Sequence, residues 1–134
     1  MIYLLDTSVC IEYTAENRAI MAKVHQHTPK ELGISAITLL ELERGIFMAA
    51  PAFKKSNREF LERFLKQVKV FPFDKKAALH AAPLFAKWER QGCRPGEMDG
   101  LIACHSNGLG LKLAYCDGDF QRLKLPRLEL WPKR

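Results

Sequence analysis

The stretch Ile2-Tyr3-Leu4-Leu5-Asp6-Thr7-Ser8 joins a short apolar run to one acidic and two hydroxyl side chains. Short apolar runs rich in β-forming residues are typical of buried strands. A carboxylate directly after such a strand lies where α/β sheets bind ligands, in the crevice outside the carboxyl ends of the strands. Asp6 can equally serve as the N-cap of the helix that follows. The positions of the other acids decide between these two interpretations.

Strands and helices alternate along the rest of the chain. Strands are predicted at residues 2–5, 32–36, 68–73, 111–116 and 128–131, and helices at 9–24, 38–49, 57–69, 75–91 and 97–107. Asp74 is the expected N-cap of the fourth helix, and Pro83 inside it predicts a kink or a break. Such alternation predicts a parallel sheet with helices on both faces, a three-layer α/β/α sandwich.

Length and composition indicate one globular domain, residues 1–134, with 48% hydrophobic and 27% charged side chains. No apolar stretch approaches the roughly 20 residues that a membrane-spanning helix needs, and the first apolar run is too short for a signal peptide. We therefore expect a cytoplasmic protein. The four cysteines are widely spaced without a C-x-x-C pair, which favours reduced thiols over disulfides or a zinc site.

Basic residues exceed acidic ones, with 21 Lys and Arg against 15 Asp and Glu and a formal net charge of +6. A basic small domain suggests a polyanionic partner, although each basic side chain taken alone is typical of a solvated helix face. Many of them lie in three stretches, at residues 54–69, 75–76 and 87–94. An acidic site in this chain therefore has positively charged surroundings.

Glu41 lies within a predicted helix but away from its apolar stripe. The stripe includes Leu39 and Leu42, whereas Glu41 shares a strip of the helix with Thr38 and Gly45. These small neighbours leave room for a ligand to approach the carboxylate, which favours a functional role.

Three more acids lie at the ends of predicted elements. Asp99 is in the first turn of a helix, where the helix dipole stabilises an acid without any function. Asp117 and Asp119 flank Gly118 directly after a strand, and Asp-Gly is also ordinary turn chemistry. Each position taken alone is explained equally well by a structural role.

The joint placement of the acids favours a common site. In a parallel α/β sheet the carboxylates of Asp6, Glu41, Asp99 and Asp117 all fall on one edge. Carboxylates about 4 Å apart repel by about 4 kcal/mol at an effective dielectric constant of about 20, so such a cluster takes up protons or binds a cation. Oxygen ligands favour Mg²⁺ or Mn²⁺ over zinc. Together with basic surroundings, this site predicts metal-dependent hydrolysis of phosphodiester bonds by an activated water.

Four motifs in this order resemble the PIN-domain ribonucleases. They are Tyr3-Leu4-Leu5-Asp6-Thr7-Ser8, Ile34-Ser35 through Thr38-x-x-Glu41-Leu42-x-x-x-Gly45, Asp99-x-x-Ile102-Ala103 and Asp117-x-Asp119-Phe120. The motifs cover nearly the whole chain, whose length is similar to that of the VapC toxins of bacterial and archaeal toxin–antitoxin pairs. Residues 70–74 and the closing Leu130-Trp131-Pro132 also resemble the FitB branch of that group.

The resemblance implies a sheet of four or five parallel strands, a Mg²⁺ or Mn²⁺ site and endonucleolytic cleavage of RNA, with tRNA or ribosomal RNA as the expected substrate. It also implies a homodimer that is held inactive by a small antitoxin, which blocks the acidic pocket and often uses a basic side chain. The catalytic and metal-binding acids that it implies are Asp6, Glu41, Asp99 and Asp117, with Asp119 as the second choice for the fourth acid. It leaves open whether one or two metal ions bind.

Supporting residues are implied by the same motifs. Ser8 stands where many relatives have Asn, and its hydroxyl is expected to orient Asp6 or a water. Thr7 and Thr38 are expected to support the acids. Arg94, just before the helix that carries Asp99, is the candidate for a contact with RNA.

Three alternatives stand beside this hypothesis. Haloacid-dehalogenase-like phosphatases also begin with a strand and an Asp, but they have a second Asp two residues later, where this chain has Ser8. Receiver domains have adjacent acids near the first strand, which are absent here. The third alternative is a weakly active or inactive PIN module that acts by binding RNA or an antitoxin, and the presence of all four acids argues against it.

Overall fold

The apolar run at the start of the chain forms the central strand of a five-stranded parallel sheet. β1 (Tyr3–Leu5) pairs with β2 (Leu32–Ser35) on one side and with β4 (Lys112–Tyr115) on the other. β3 (Lys69–Phe71) and β5 (Leu128–Leu130) form the two edges, so the strand order is β3-β2-β1-β4-β5. The predicted parallel sheet is confirmed, with five strands.

Six α-helices connect the strands in the computed structural model, which describes residues 1–134. They are α1 (Thr7–Thr14), α2 (Arg18–His25), α3 (Ala36–Met48), α4 (Pro51–Leu65), α5 (Lys75–Arg90) and α6 (Glu97–Leu109), and a 3-10 helix (Phe120–Leu123) precedes β5. No helix is both long and apolar enough to cross a membrane.

The helices form two layers because successive side chains of a strand point to opposite faces of the sheet. On one face, Tyr3 and Leu5 of β1 belong to a core that includes Phe64 of α4. On the other face, Leu4 packs in a second core with Ile102 of α6. The three-layer α/β/α sandwich predicted from the alternating pattern is therefore confirmed.

The prediction of a single helix over residues 9–24 is wrong, because the structure has two helices there. Glu16 has a φ of 62°, in the left-handed region, so the backbone leaves the helical conformation just after α1 ends. Asn17 then caps α2, since its side-chain oxygen accepts a hydrogen bond from the backbone N–H of Ile20 at 3.1 Å. The apolar spacing on both sides of this corner is helical, so periodicity alone does not show the corner.

Prolines account for two further differences from the predicted helices. α4 begins at Pro51 rather than at residue 57, since the fixed φ of proline suits the first turn of a helix. α5 runs through Pro83 as one helix, so the predicted break does not occur. Pro83 is exposed, whereas Ala81 and Trp88 of the same helix are buried, so packing holds the helix together around the missing hydrogen bond.

The strand order places a crevice beside β1. β2 and β3 lie on one side of β1, and the chain then crosses to the other side of β1, where β4 and β5 lie. Loops that leave β1 and β4 therefore turn away from each other at the carboxyl edge, which is where doubly wound sheets bind ligands. The backbone N–H of Asp6 donates to the carbonyl of Ala114 at 2.8 Å, which fixes the end of β1 against β4.

The close packing of α6 against α5 can be tested by a substitution at Gly100. A Cβ added at Gly100 would lie 2.7 Å from the ring of Phe85 and 2.9 Å from Pro95, whereas one at Gly45 would meet nothing within 4 Å. We expect Gly100→Ala to lower the free energy of unfolding by about 1–3 kcal/mol through overpacking. Gly45→Ala, the matched control within α3, should leave it unchanged or raise it by up to about 1 kcal/mol. Urea denaturation measures both free energies of unfolding. An unchanged free energy of unfolding for Gly100→Ala would contradict the close contact of Gly100 with Phe85 and Pro95.

Candidate metal centre

Four predicted acids line one cavity of about 290 Å³ at the carboxyl edge of the sheet. The lining residues are Asp6, Thr7, Ser8, Ile11, Glu12, Glu41, Asp99, Asp117 and Gly118. The lining residues come from the end of β1, from α1, from the middle of α3, from the first turn of α6 and from the turn after β4. The fold thus brings Asp6, Glu41, Asp99 and Asp117 around a common space, together with Glu12.

Asp6 is the most buried of these acids, with 3% of its surface exposed. Its Oδ2 atom accepts hydrogen bonds from the backbone N–H of Ser8 at 3.0 Å and from the Ser8 hydroxyl at 2.6 Å. Its Oδ1 atom is buried and has no hydrogen-bond partner. Burial raises the pKa of the Asp6 carboxyl to about 6; the nearby charge of Asp99 adds to this rise, and the Ser8 hydrogen bonds oppose it.

Ser8 links Asp6 to the turn after β4. While the Ser8 hydroxyl donates to Asp6, its oxygen accepts from the backbone N–H groups of Cys116 at 3.2 Å and Asp117 at 3.4 Å. This single hydroxyl therefore ties the ends of the two central strands together. The structure thus places the Ser8 hydroxyl in direct contact with Asp6.

Thr7 and Thr38 hold Glu41 in place. The Thr7 hydroxyl donates to Glu41 Oε1 at 2.6 Å, and its oxygen lies 3.1 Å from the hydroxyl oxygen of Thr38. Both threonines are buried, and Glu41 is half-buried. The side chain of Glu41 is thereby directed from α3 towards the end of β1.

Asp99 lies in the first turn of α6, as the sequence predicted. The residue is exposed, yet partial desolvation raises the pKa of its carboxyl above the ordinary value. Its carboxylate lies close to the turn after β4, since a Cβ added at Gly118 would come within 3.9 Å of Asp99 Oδ2.

The two candidates for the fourth acid lie in different surroundings. Asp117 lines the acidic cavity, and its Oδ1 lies 2.8 Å from the ammonium of Lys133. Asp119 is absent from that lining and instead forms an ion pair with Arg122 at 3.2 Å. The geometry favours Asp117 over Asp119.

The structure separates Arg94 from the acidic cavity and adds two residues that no motif indicates, Glu12 and Lys133. Arg94 is exposed, lies 3.7 Å from Glu89 and does not line the cavity. Glu12 does line it, and Lys133 reaches it from the end of the chain. Glu12 lies four residues after Ser8 on α1, a helical spacing that could have identified it. No local sequence signal places Lys133 there.

The oxygen-rich lining fits a hard divalent cation. Asp6, one of the lining residues, has a buried carboxylate oxygen, Oδ1, without a hydrogen-bond partner. No three acidic, histidine or cysteine side chains are close enough together to form a complete metal cage. Such a site suits an ion that keeps several waters and binds through one or two carboxylates, which is the usual habit of Mg²⁺.

An apolar groove of about 410 Å³ adjoins the acidic cavity. The two share Thr7, Ile11 and Glu41, and the groove continues between α1, α3 and α4 past Leu42 and Phe60. A segment lying in this groove would reach the acids.

The fold and the site together define a class of protein, a doubly wound α/β domain. Its carboxylate cavity lies between β1 and β4, where the strand order reverses. A PIN domain family model matches residues 3–125. The tRNA(fMet)-specific endonuclease VapC of Salmonella typhimurium is 32% identical to this chain over 133 residues, which cover 96% of this chain and 97% of that protein. The chain belongs to the PIN-domain family.

Solved structures agree with this assignment. The structure of VapBC2 from Rickettsia felis bound to a DNA fragment from their promoter contains a chain with a TM-score of 0.84 and 25% identity, covering 98% of this chain and 99% of that one. FitAcB from Neisseria gonorrhoeae has the same fold, with a TM-score of 0.82, 24% identity and 98% coverage of both chains.

The raised pKa of Asp6 predicts that this acid destabilises the metal-free protein. The folded state prefers the protonated carboxyl, so this contribution to stability is fully present below a pH of about 3.8 and is lost as the pH rises through about 6. We expect Asp6→Asn, in EDTA at pH 7.5, to raise the free energy of unfolding by up to about 3 kcal/mol. At pH 4 the gain should largely disappear. Thermal or urea unfolding at the two pH values measures it, and a loss of stability at pH 7.5 would contradict the prediction.

Proposed function

We propose that this PIN-domain protein is an endoribonuclease that uses Mg²⁺ or Mn²⁺ to hydrolyse RNA phosphodiester bonds. We propose further that it acts in the cytoplasm as the toxin of a VapBC-type toxin–antitoxin pair. The observation that carries the proposal is that Asp6, which has a buried and unpartnered Oδ1, lines a cavity together with further carboxylates. The similarity to a VapC endonuclease over nearly the whole chain supports the reaction class.

The roles of the acids follow from their surroundings. Asp6 and at most one of Asp99 and Asp117 would bind the cation directly. The remaining acids, including Glu41, would bind its water ligands or take a proton from one of them. A divalent cation in such a site lowers the pKa of a bound water and neutralises charge on the phosphate. Thr7 and Ser8 keep Glu41 and Asp6 in fixed orientations by hydrogen bonds of 2.6 Å each. The site has no Asp at position 8 to assist a nucleophilic Asp6, which supports hydrolysis by water.

RNA is the proposed substrate because the acidic cavity lies within a chain of net charge +6. Excess Lys and Arg bind a polyanion through its phosphates, without selecting a sequence. The Salmonella typhimurium relative is named for tRNA(fMet), and we propose tRNA or ribosomal RNA as the substrate class here.

The proposed partners are a small antitoxin and a second copy of this chain. The apolar groove beside the acids suits an antitoxin segment whose basic side chain reaches the cavity, since Ile11 and Phe60 line it and Glu41 lies at its junction with the acids. The similarity of the fold to VapBC2 from Rickettsia felis supports the pairing.

RNA cleavage by the purified, antitoxin-free protein tests the activity. We expect cleavage of tRNA or ribosomal RNA with Mg²⁺ or Mn²⁺ and none with EDTA. Asp6→Asn and Asp99→Asn should lower the rate by at least about 100-fold, because they remove charges that hold the cation and its water. Gel analysis of end-labelled RNA measures the rates.

Two substitutions of similar chemistry serve as controls. Asp119→Asn affects an exposed acid that pairs with Arg122, and Glu43→Gln affects one that pairs with Arg58 at 2.7 Å. Both should retain most of the activity, whereas Asp117→Asn should lose it. Cleavage in EDTA, or full activity of Asp6→Asn, would exclude the mechanism. RNA binding without any cleavage would favour the inactive binding module instead.

The groove gives a separate test of the antitoxin proposal. Phe60 lines the groove but not the acidic cavity, and the guanidinium of Arg63 lies 5.0 Å from the centre of its ring. We expect Phe60→Glu to weaken binding of the antitoxin encoded by the neighbouring gene by at least about tenfold, because a carboxylate would be buried in the complex. RNA cleavage by the free variant should be unchanged. Calorimetry measures the affinity, and unchanged binding would place the antitoxin elsewhere.

A further inference from the structure

The C-terminal tail brings an ammonium group to one side of the acidic cavity. Lys133 Nζ lies 2.8 Å from Asp117 Oδ1 and 4.0 Å from Glu12 Oε1. Both acids belong to the lining of the cavity. Lys133 therefore supplies one positive charge to two of the carboxylates that line the cavity.

The backbone around Lys133 is held by buried Trp131 and by a hydrogen bond from Asn17. Trp131, two residues earlier, is fully buried, its backbone N–H donates to the carbonyl of Tyr115 at 2.7 Å, and its ring packs edge-on against Tyr3. The backbone carbonyl of Lys133 accepts a hydrogen bond from the Asn17 side chain at 3.1 Å. The same Asn17 amide donates to Glu12 at 3.2 Å, so one side chain orients both the tail and its acidic partner.

The other acids of the cavity have no such counter-ion. None of the ion pairs in the structure includes Asp6, Glu41 or Asp99, so no Lys, Arg or His nitrogen lies within 4.0 Å of these carboxylates. The cavity is thus divided into an uncompensated side, where Asp6 Oδ1 has no partner, and a side that Lys133 already neutralises.

We infer that Lys133 takes the place of a second cation, so that this chain binds one divalent ion, on the side of Asp6, Glu41 and Asp99. Two divalent ions a few ångströms apart repel each other strongly, and they coexist only where enough carboxylates surround both. Here the ammonium of Lys133 pairs with one carboxylate oxygen of Asp117, and its positive charge repels an incoming cation. Both effects lower the affinity of the cavity for a second divalent ion. The inference rests on the proposed function, because it concerns the same metal site.

Counting bound Mn²⁺ tests the inference directly. The full-length, antitoxin-free protein is titrated with Mn²⁺, and the unbound ion is measured by electron paramagnetic resonance. We expect one Mn²⁺ per chain for the wild-type protein and for Lys133→Arg, which keeps the charge. Lys133→Met should bind the first ion and, at millimolar Mn²⁺, a second and weaker one. Lys87→Met, the control for a lost charge on the exposed surface of α5, should still bind one.

Two binding sites in the wild-type protein, or one site in both the wild type and Lys133→Met, would overturn the role of Lys133 while leaving the metal site intact. Absence of bound Mn²⁺ from the wild type would instead reject the metal site and the proposed function together. Lys133→Gln provides a second neutral variant if Lys133→Met aggregates, and circular dichroism confirms that each variant is folded.

Discussion

The structure of the site depends on the burial of one carboxylate with only one of its oxygens satisfied. Buried charges ordinarily need hydrogen bonds or an opposite charge, and an uncompensated one is costly. Asp6 receives two hydrogen bonds at Oδ2, both from Ser8, and none at Oδ1. The fold therefore retains an acid with a raised pKa in a place where a bound cation would remove the cost.

Asp6 also shows that a helix cap and a functional acid can be the same residue. Its Oδ2 caps α1 by accepting from the backbone N–H of Ser8. The cap fixes the side chain through Oδ2 and leaves Oδ1 without a hydrogen-bond partner. The strand order brings a second acid to the site, because the ends of β1 and β4 lie side by side and Asp117 therefore lines the same cavity as Asp6. Across the cavity, Lys133 compensates Asp117, whereas no cation compensates Asp6.

The parallel sheet and the four acids follow from local sequence patterns. Short apolar strands followed by Asp6 and Asp117 predict both the sheet and its acidic edge, since strand ends meet at one edge whatever the details of the helices. Other features depend on contacts that no local pattern contains. The corner at Glu16 arises from a left-handed backbone conformation, and Lys133 reaches Asp117 only because buried Trp131 anchors the tail. The motif already ranks Asp117 before Asp119, and the structure adds that Asp117 lines the cavity whereas Asp119 pairs with Arg122.

The role proposed for Asp6 Oδ1 is that of a ligand to a divalent cation. Crystals of the antitoxin-free protein soaked in Mn²⁺ test it most directly, because anomalous scattering locates the ion without any assumption about activity. We expect a single peak in bonding contact with Asp6 Oδ1, about 2.0–2.3 Å away, with water completing its coordination. An acidic cavity without an anomalous peak at saturating Mn²⁺, or a peak that does not contact Asp6, would contradict this role.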